Sequence, residues 1–342
     1  MPLDGLPLLA NLAIFAAAAA LVWVAGTRLA VYVDGIAQAT GAGQAFIGML
    51  LLGGITSLPE IATVTTASWT GSPSLAVNNL IGSAAGNVLL LAVADVVLGR
   101  DALTSVVAKP STLLQGTLGM MLLCMVAAAL VAGDIAVAGV GVWTTALLGG
   151  CVAALWLSSN YERRHVWEAV GGRADEGGKL PGAEQPLRTL ALKTTAVAAI
   201  ILMAGFVLSQ AGDAIAKQSG LGVGLVGFVL LAFATSLPEL SSIVSALRIR
   251  RYEMAVGDIF GTNLFNIALL FLADLTYSGG PVLSEGGTFE AVAALLASLL
   301  TGLFIIGLLE RQDRTILRMG YDSLAAIILY ALGLVVLYPF AQ

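Results

Sequence analysis

The sequence predicts an all-α polytopic membrane protein: ten transmembrane helices as two inverted five-helix repeats, with broken helices at the midplane. Three observations predict it. Of the 342 residues, 58% are apolar and only 11% charged, with a mean hydropathy of +0.94, whereas a soluble globular chain carries roughly 25% charged residues. The pentapeptide Thr-Ser-Leu-Pro-Glu occurs twice, at 56–60 and 235–239, so that Thr56 answers to Thr235 and Glu60 to Glu239. Of the 16 lysines and arginines, all but Lys217 fall on one side once the apolar segments are threaded through a bilayer.

Hydropathy and turn signals place apolar segments at 7–26, 42–69, 73–98, 112–132, 136–158, 189–211, 221–247, 253–276, 288–309 and 321–340. A spanning helix needs about 20 residues. The second and seventh segments are longer, roughly 42 Å of helix against about 30 Å of hydrocarbon. Both contain the TSLPE sequence, so the excess predicts helices that are interrupted or steeply tilted. Between the fifth and sixth segments, Asn160 to Arg188 is polar, with Glu162, Arg163, Arg164, Arg173, Asp175, Glu176, Lys179 and Glu184 among glycines and two prolines. It predicts a linker at 160–188 joining a first repeat at 1–159 to a second at 189–342. The linker is too short for a folded regulatory domain.

With the N-terminus outside, the odd-numbered loops and their flanking helix ends face the cytoplasm. They hold Arg28, Arg100, Lys109, Arg163, Arg164, Arg173, Lys179, Arg188, Lys193, Arg248, Arg250, Arg251, Arg311, Arg314 and Arg318. This excess follows the positive-inside rule. It leaves both termini outside, and an odd number of helices per half makes the halves inverted. The N-terminus lacks the positive region of a cleavable signal, Asp4 being its only charged side chain. Cys124 and Cys151 lie in apolar stretches and show no metal-thiolate spacing. His165, the single histidine, sits in the charged linker.

The repeat is visible without gaps. Residues 41–95 and 220–274 share 19 identities in 55 positions. Beyond the pentapeptide, the matches include Gly48/Gly227, Gly82/Gly261, Asn87/Asn266 and Asp95/Asp274. Compositional likeness between apolar segments would supply leucines and alanines, not these. Duplicated halves with matched helix breaks are the signature of secondary transporters, whose sites lie at the repeat interface near the midplane.

A carboxylate and a proline are both unwelcome at membrane depth. Here they come together, twice. Pro59 cannot donate to the carbonyl of Ile55, nor Pro238 to that of Ala234, and freed carbonyls need partners, a cation among them. Thr56, Ser57, Thr235 and Ser236 add hydroxyls beside the breaks. Glu60 and Glu239 add charge. The following helix of each half brings Ser83 and Asn87, or Thr262 and Asn266, spaced i, i+4 on one face. Such an all-oxygen set suits hard cations such as Ca²⁺ and Na⁺, whereas Zn²⁺ or Cu⁺ would want His or Cys. Gly48, Gly82, Gly227 and Gly261 are assigned to close helix packing. Asp95 and Asp274, near helix ends, are left between an interfacial role and a gating or structural one.

At these residues the chain resembles the cation/calcium exchanger superfamily, specifically its prokaryotic sodium/calcium exchanger-like branch. The resemblance rests on TSLPE in both halves, on GSAAGN at 82–87 and on GTNLFN at 261–266, and it covers the whole chain. It implies that Glu60 and Glu239 are the central Ca²⁺ ligands. It implies that Thr56 and Thr235, with Gly53 and Ala232, offer backbone carbonyls, and that Ser57, Ser236, Ser83 and Thr262 complete neighbouring Na⁺ sites. Proton-coupled members typically carry a GNAxE-like motif in place of TSLPE, so the resemblance favours sodium. Two departures stand out: Asn266 where relatives commonly have aspartate, and Asp258 where the matched residue is Asn79.

The function expected is secondary antiport of Ca²⁺ against Na⁺ by alternating access in a prokaryotic cytoplasmic membrane, with proton-coupled Ca²⁺ exchange as the alternative. Two carboxylates are neutralised by Ca²⁺, and nearly so by Na⁺ or protons, while the empty pair resists occlusion. Charge balance alone does not choose the counter-ion. No cofactor and no nucleic-acid partner is expected, only ions and lipid. A channel would more naturally show an oligomeric filter. Intramembrane proteolysis is disfavoured because there is no H-E-x-x-H, and because Ala255 occupies the glycine position that a GxGD motif would need.

Overall fold

The computed structural model describes residues 3, 5–40, 56–98, 103–106, 110–162, 185–248, 252–311, 315–316 and 319–341. Its helices are α1 Leu8–Thr40, α2 Leu58–Trp69, α3 Pro73–Leu98, α4 Pro110–Ala132, α5 Val142–Glu162 and α6 Leu187–Ser219. They continue as α7 Gly222–Thr235, α8 Leu237–Arg248, α9 Tyr252–Thr276, α10 Thr288–Glu310 and α11 Tyr321–Leu337. The protein is an all-helical, polytopic membrane fold. Among the described residues eight helices are long and apolar enough to cross a membrane, and nine if α7 and α8, bent by 43° at the break between them, are counted as one span. Of the expected second span, 42–69, only the part from Thr56 on, with α2, lies within the described residues.

Two helices run past their predicted ends. Hydropathy marks 7–26 and 189–211, yet α1 and α6 are each 33 residues long, about 50 Å at 1.5 Å per residue. Hydropathy reports where a chain is apolar, whereas a helix continues until its backbone is stopped. For α6 the stop is Gly220, left-handed at φ 70°. The fifth span begins later than expected. Ala136–Val137 and Val140–Gly141 pair as a hairpin before α5, its turn held by Ala138 and Gly139 at φ 54° and 85°. Thr315–Ile316 and Met319–Gly320 form the same hairpin before α11.

The centre of the fold is α3 and α9. Their membrane windows are 83% and 72% buried, against 28% for α1 and α6. A side chain at Gly82 would collide with the backbone of Phe228, and one at Gly227 would come within 2.8 Å of the Asn78 Cβ. These two glycines therefore serve close packing of α3 on α7, as expected; Gly48 lies outside the described residues. The two central helices run antiparallel. Ser74 and Asn78, at the start of α3, donate to the Glu285 carbonyl (3.4 Å) and the Glu290 carboxylate (2.7 Å), both beyond the end of α9. The helices cross where Asn263 donates to the Ala84 carbonyl (3.2 Å).

Around this centre, α1 packs on α6 and α8, and α6 on α1 and α2. Glycines make both crossings possible. A Cβ at Gly26 would lie 2.6 Å from the Pro238 Cβ, and one at Gly205 would lie 2.5 Å from the Ala62 Cβ. Gly26 and Gly205 are themselves separated by the same offset as the two pentapeptides.

The two matched aspartates are ties between distant segments. Asp95 accepts hydrogen bonds from the Leu103 N–H (2.6 Å), the Gly320 N–H (2.6 Å) and the Ser323 hydroxyl (2.7 Å). Asp274 accepts them from the Val282 N–H (2.8 Å), the Gly141 N–H (2.5 Å) and the Thr144 hydroxyl (2.7 Å). Every partner recurs at the offset of the repeat: Leu103 answers to Val282, Gly141 to Gly320 and Thr144 to Ser323. Each aspartate thus fixes the hairpin and first helical turn that belong to the other half of the sequence.

Candidate cation site

The site is built on two chain breaks of matching shape. Ser57 has φ −80° and ψ 9°, and Ser236 has φ −82° and ψ 8°. Leu58 and Leu237 then open α2 and α8, with Pro59 and Pro238 second in each. In the first turn a proline loses no intrahelical bond, so here it starts a helix rather than kinking one. Ser57 and Ser236 carbonyls accept from Ile61 (2.9 Å) and Leu240 (3.2 Å), the first rungs of the new helices. Glu60 and Glu239 fall in those first turns, at the positive end of the helix dipole.

Both glutamates are fully buried. None of their four carboxylate oxygens receives a hydrogen bond of normal geometry among the described residues. The Thr235 and Ser83 hydroxyls flank Glu60, and the Thr56 hydroxyl flanks Glu239, without closing a hydrogen bond of normal geometry. Glu60 and then Asp258 are the charged groups that face Glu239. Ser83 and Thr235 meet each other at 3.4 Å. Each carboxylate is therefore served by hydroxyls from the other half of the chain.

The remaining expected ligands are all buried. The hydroxyls of Ser57, Ser236 and Thr262, the Asn87 carbonyl oxygen and both polar atoms of Asn266 have no partner among the described residues. An unsatisfied buried polar atom costs about 1–3 kcal/mol, and more when charged. So many of them, at the two breaks and on α3 and α9, mark a place built to receive positive charge. No group of three or more His, Cys, Asp or Glu side chains gathers among the described residues. Any coordination shell must therefore be completed by hydroxyl, amide and carbonyl oxygens. The Ala232 carbonyl already accepts from Ser236 N–H (3.0 Å) and the Thr235 hydroxyl (3.1 Å). Gly53 lies outside the described residues.

Three asparagines and their hydroxyl partners organise the site. The Asn87 amide donates to the Asn263 side-chain oxygen (2.8 Å), joining α3 to α9. Asn79 donates to the Thr63 hydroxyl (2.8 Å) and accepts from Thr235 (3.2 Å). Asn263 went unnoticed in the sequence because its counterpart is Ala84, so a search for duplicated polar residues passes over it. Its place inside GTNLFN was the available signal.

Known proteins resemble this chain in sequence and in fold. The family described as sodium/calcium exchanger protein matches residues 10–161 and 190–339. The candidate antiporter CaxA of Alkalimonas amylolytica is 28% identical over 300 residues, 86% of this chain and 89% of that one. The inner membrane protein YrbG of Escherichia coli is 28% identical over 277 residues, 80% of this chain and 79% of that one. A solved structure of the sodium-calcium exchanger NCX_Mj, soaked with Na⁺ and Sr²⁺, superposes with a TM-score of 0.61 at 18% identity. It covers 96% of this chain and 99% of that one.

Proposed function

The chain belongs to the sodium/calcium exchanger protein family, and from that premise we propose that it is a secondary active antiporter exchanging Ca²⁺ for Na⁺ by alternating access. One observation carries the proposal. Two fully buried carboxylates, flanked by the Thr235, Ser83 and Thr56 hydroxyls, face one another among buried hydroxyl and amide groups that have no hydrogen-bond partner among the described residues. Ca²⁺ neutralises that pair and takes such oxygens as ligands. Its cargo ligands are Glu60 and Glu239 in the centre, with Thr56, Thr235, Ser57, Ser236, Ser83, Thr262, Asn87, Asn266, Gly53 and Ala232 around them.

The layout proposed with it is ten helices in two inverted five-helix halves, 1–159 and 189–342, joined by a cytoplasmic linker, with both termini outside. The twin aspartate ties, the twin hairpins and the two-part family match support this layout. The membrane is the cytoplasmic membrane of a prokaryote.

The test is Ca²⁺ flux in proteoliposomes under an imposed Na⁺ gradient and, separately, an imposed pH gradient. Flux driven by Na⁺ is expected. Flux that follows pH and ignores Na⁺ would replace sodium by protons as the coupled ion.

A further inference from the structure

The duplicated polar network departs from symmetry at a pair of positions beside the site. On α3, Asn79 is neutral and ties Thr63 to Thr235, the hydroxyl that flanks Glu60. Its counterpart on α9, at the offset of the repeat, is Asp258. The Asp258 Oδ2 accepts from the Ser242 hydroxyl at 2.7 Å, and Ser242 is the counterpart of Thr63. So the pairing recurs in both halves, but Asn79 donates to its hydroxyl whereas Asp258 accepts from its own, and only Asp258 can carry charge. Asp258 is 7% exposed and faces Glu239. It also shares a stripe of α9 with Thr262 and Asn266, spaced i, i+4, i+8, whose buried polar atoms are partnerless.

Placement gives the asymmetry a direction. Asn79 and Asp258 each stand six residues into their helix, about 9 Å deep. Because α3 and α9 are antiparallel, the amide lies toward the face where α3 begins and the carboxylate toward the face where α9 begins. We propose that Asp258 is a positioning and selectivity residue: a third negative charge on one side of the site, which makes the site's two mouths unequal toward cations. This rests on the antiporter reading of the site. A fixed charge acts on cargo in proportion to the cargo's own charge, so the bias is larger for a divalent than for a monovalent ion.

The experiment uses the full-length protein in uniformly oriented proteoliposomes, with Ca²⁺ and Na⁺ titrated from each face. Wild type is expected to show the lower apparent KM for Ca²⁺ from the face where α9 begins. Asp258→Asn should raise that KM about tenfold and the Na⁺ value about threefold, with the maximal rate nearly unchanged. Asp258→Glu should restore it. The exchange Asn79→Asp with Asp258→Asn should reverse which face has the lower KM. If Asp258→Asn does not fold, Asn79→Asp alone must lower the KM from the face where α3 begins. Equal shifts on both faces, or sidedness unmoved by the exchange, overturn the inference while leaving the antiporter standing. No Ca²⁺ flux in wild type overturns both.

Discussion

Glu60 and Glu239 are buried carboxylates flanked by neutral hydroxyls, so glutamine at either place removes charge while keeping the size of the side chain. Glu60→Gln and Glu239→Gln are each expected to cut Ca²⁺ flux by more than about a hundredfold, the worth of one charged ligand. Thermal stability should hold or rise, since an amide is cheaper to bury than an uncompensated charge. Flux near wild type in either variant would remove that residue from the site. Asp95 and Asp274 predict the reverse pattern. Each takes three hydrogen bonds, worth about 1.5–3 kcal/mol apiece when the acceptor is charged. Asp95→Asn and Asp274→Asn should therefore each lower the unfolding temperature in detergent by several degrees, and by similar amounts. The glutamates were legible in the sequence because duplication set them apart from packing residues. The task of Asp95 was not, because two of its partners lie 225 and 228 positions away and nothing local to Asp95 names them.

Helices show the same division between what composition fixes and what contact fixes. Spans such as 73–98 and 288–309 were legible almost to the residue, since apolar length and helix length coincide there. The extra length of α6 was not legible, because its last turn is polar and held by tertiary contact, Gln218 bonding Asn11 and the Leu6 carbonyl. Nor was the π-helical turn at Val226–Leu231, which precedes the second break and has no sequence signal of its own. The crossings of α1 over α8 and of α6 over α2 yield a test. Gly26→Leu and Gly205→Leu would force these helices away from the turns that carry Glu239 and Glu60. Overpacking costs about 1–3 kcal/mol, and here it falls beside the site, so turnover should drop at least about tenfold. Gly149→Leu is the control, because a side chain there meets open space, and its flux should match wild type. Equal flux in all three would show that these crossings do not govern transport.

For the molecule as a whole, orientation is the property most directly written in the sequence. On the proposed layout Lys217 is the single basic residue on the far side; it is paired with Asp213 at 2.6 Å, and Asp213 also accepts from Ser72 at 2.9 Å. Its charge is therefore balanced where it stands. A cysteine placed at Arg173, in a background without Cys124 and Cys151, should resist an impermeant thiol reagent in intact cells and react in inverted vesicles; labelling from outside would turn the topology over. On the proposed layout the aspartate ties have a consequence for ancestry and assembly. Each half's hairpin donates a backbone hydrogen bond to a carboxylate that belongs to the other half. A lone five-helix unit would thus be incomplete, but two copies of one unit, inserted in opposite orientations, would complete each other. On that layout the single chain has the architecture of a dual-topology homodimer, two copies of one unit that exchange aspartates.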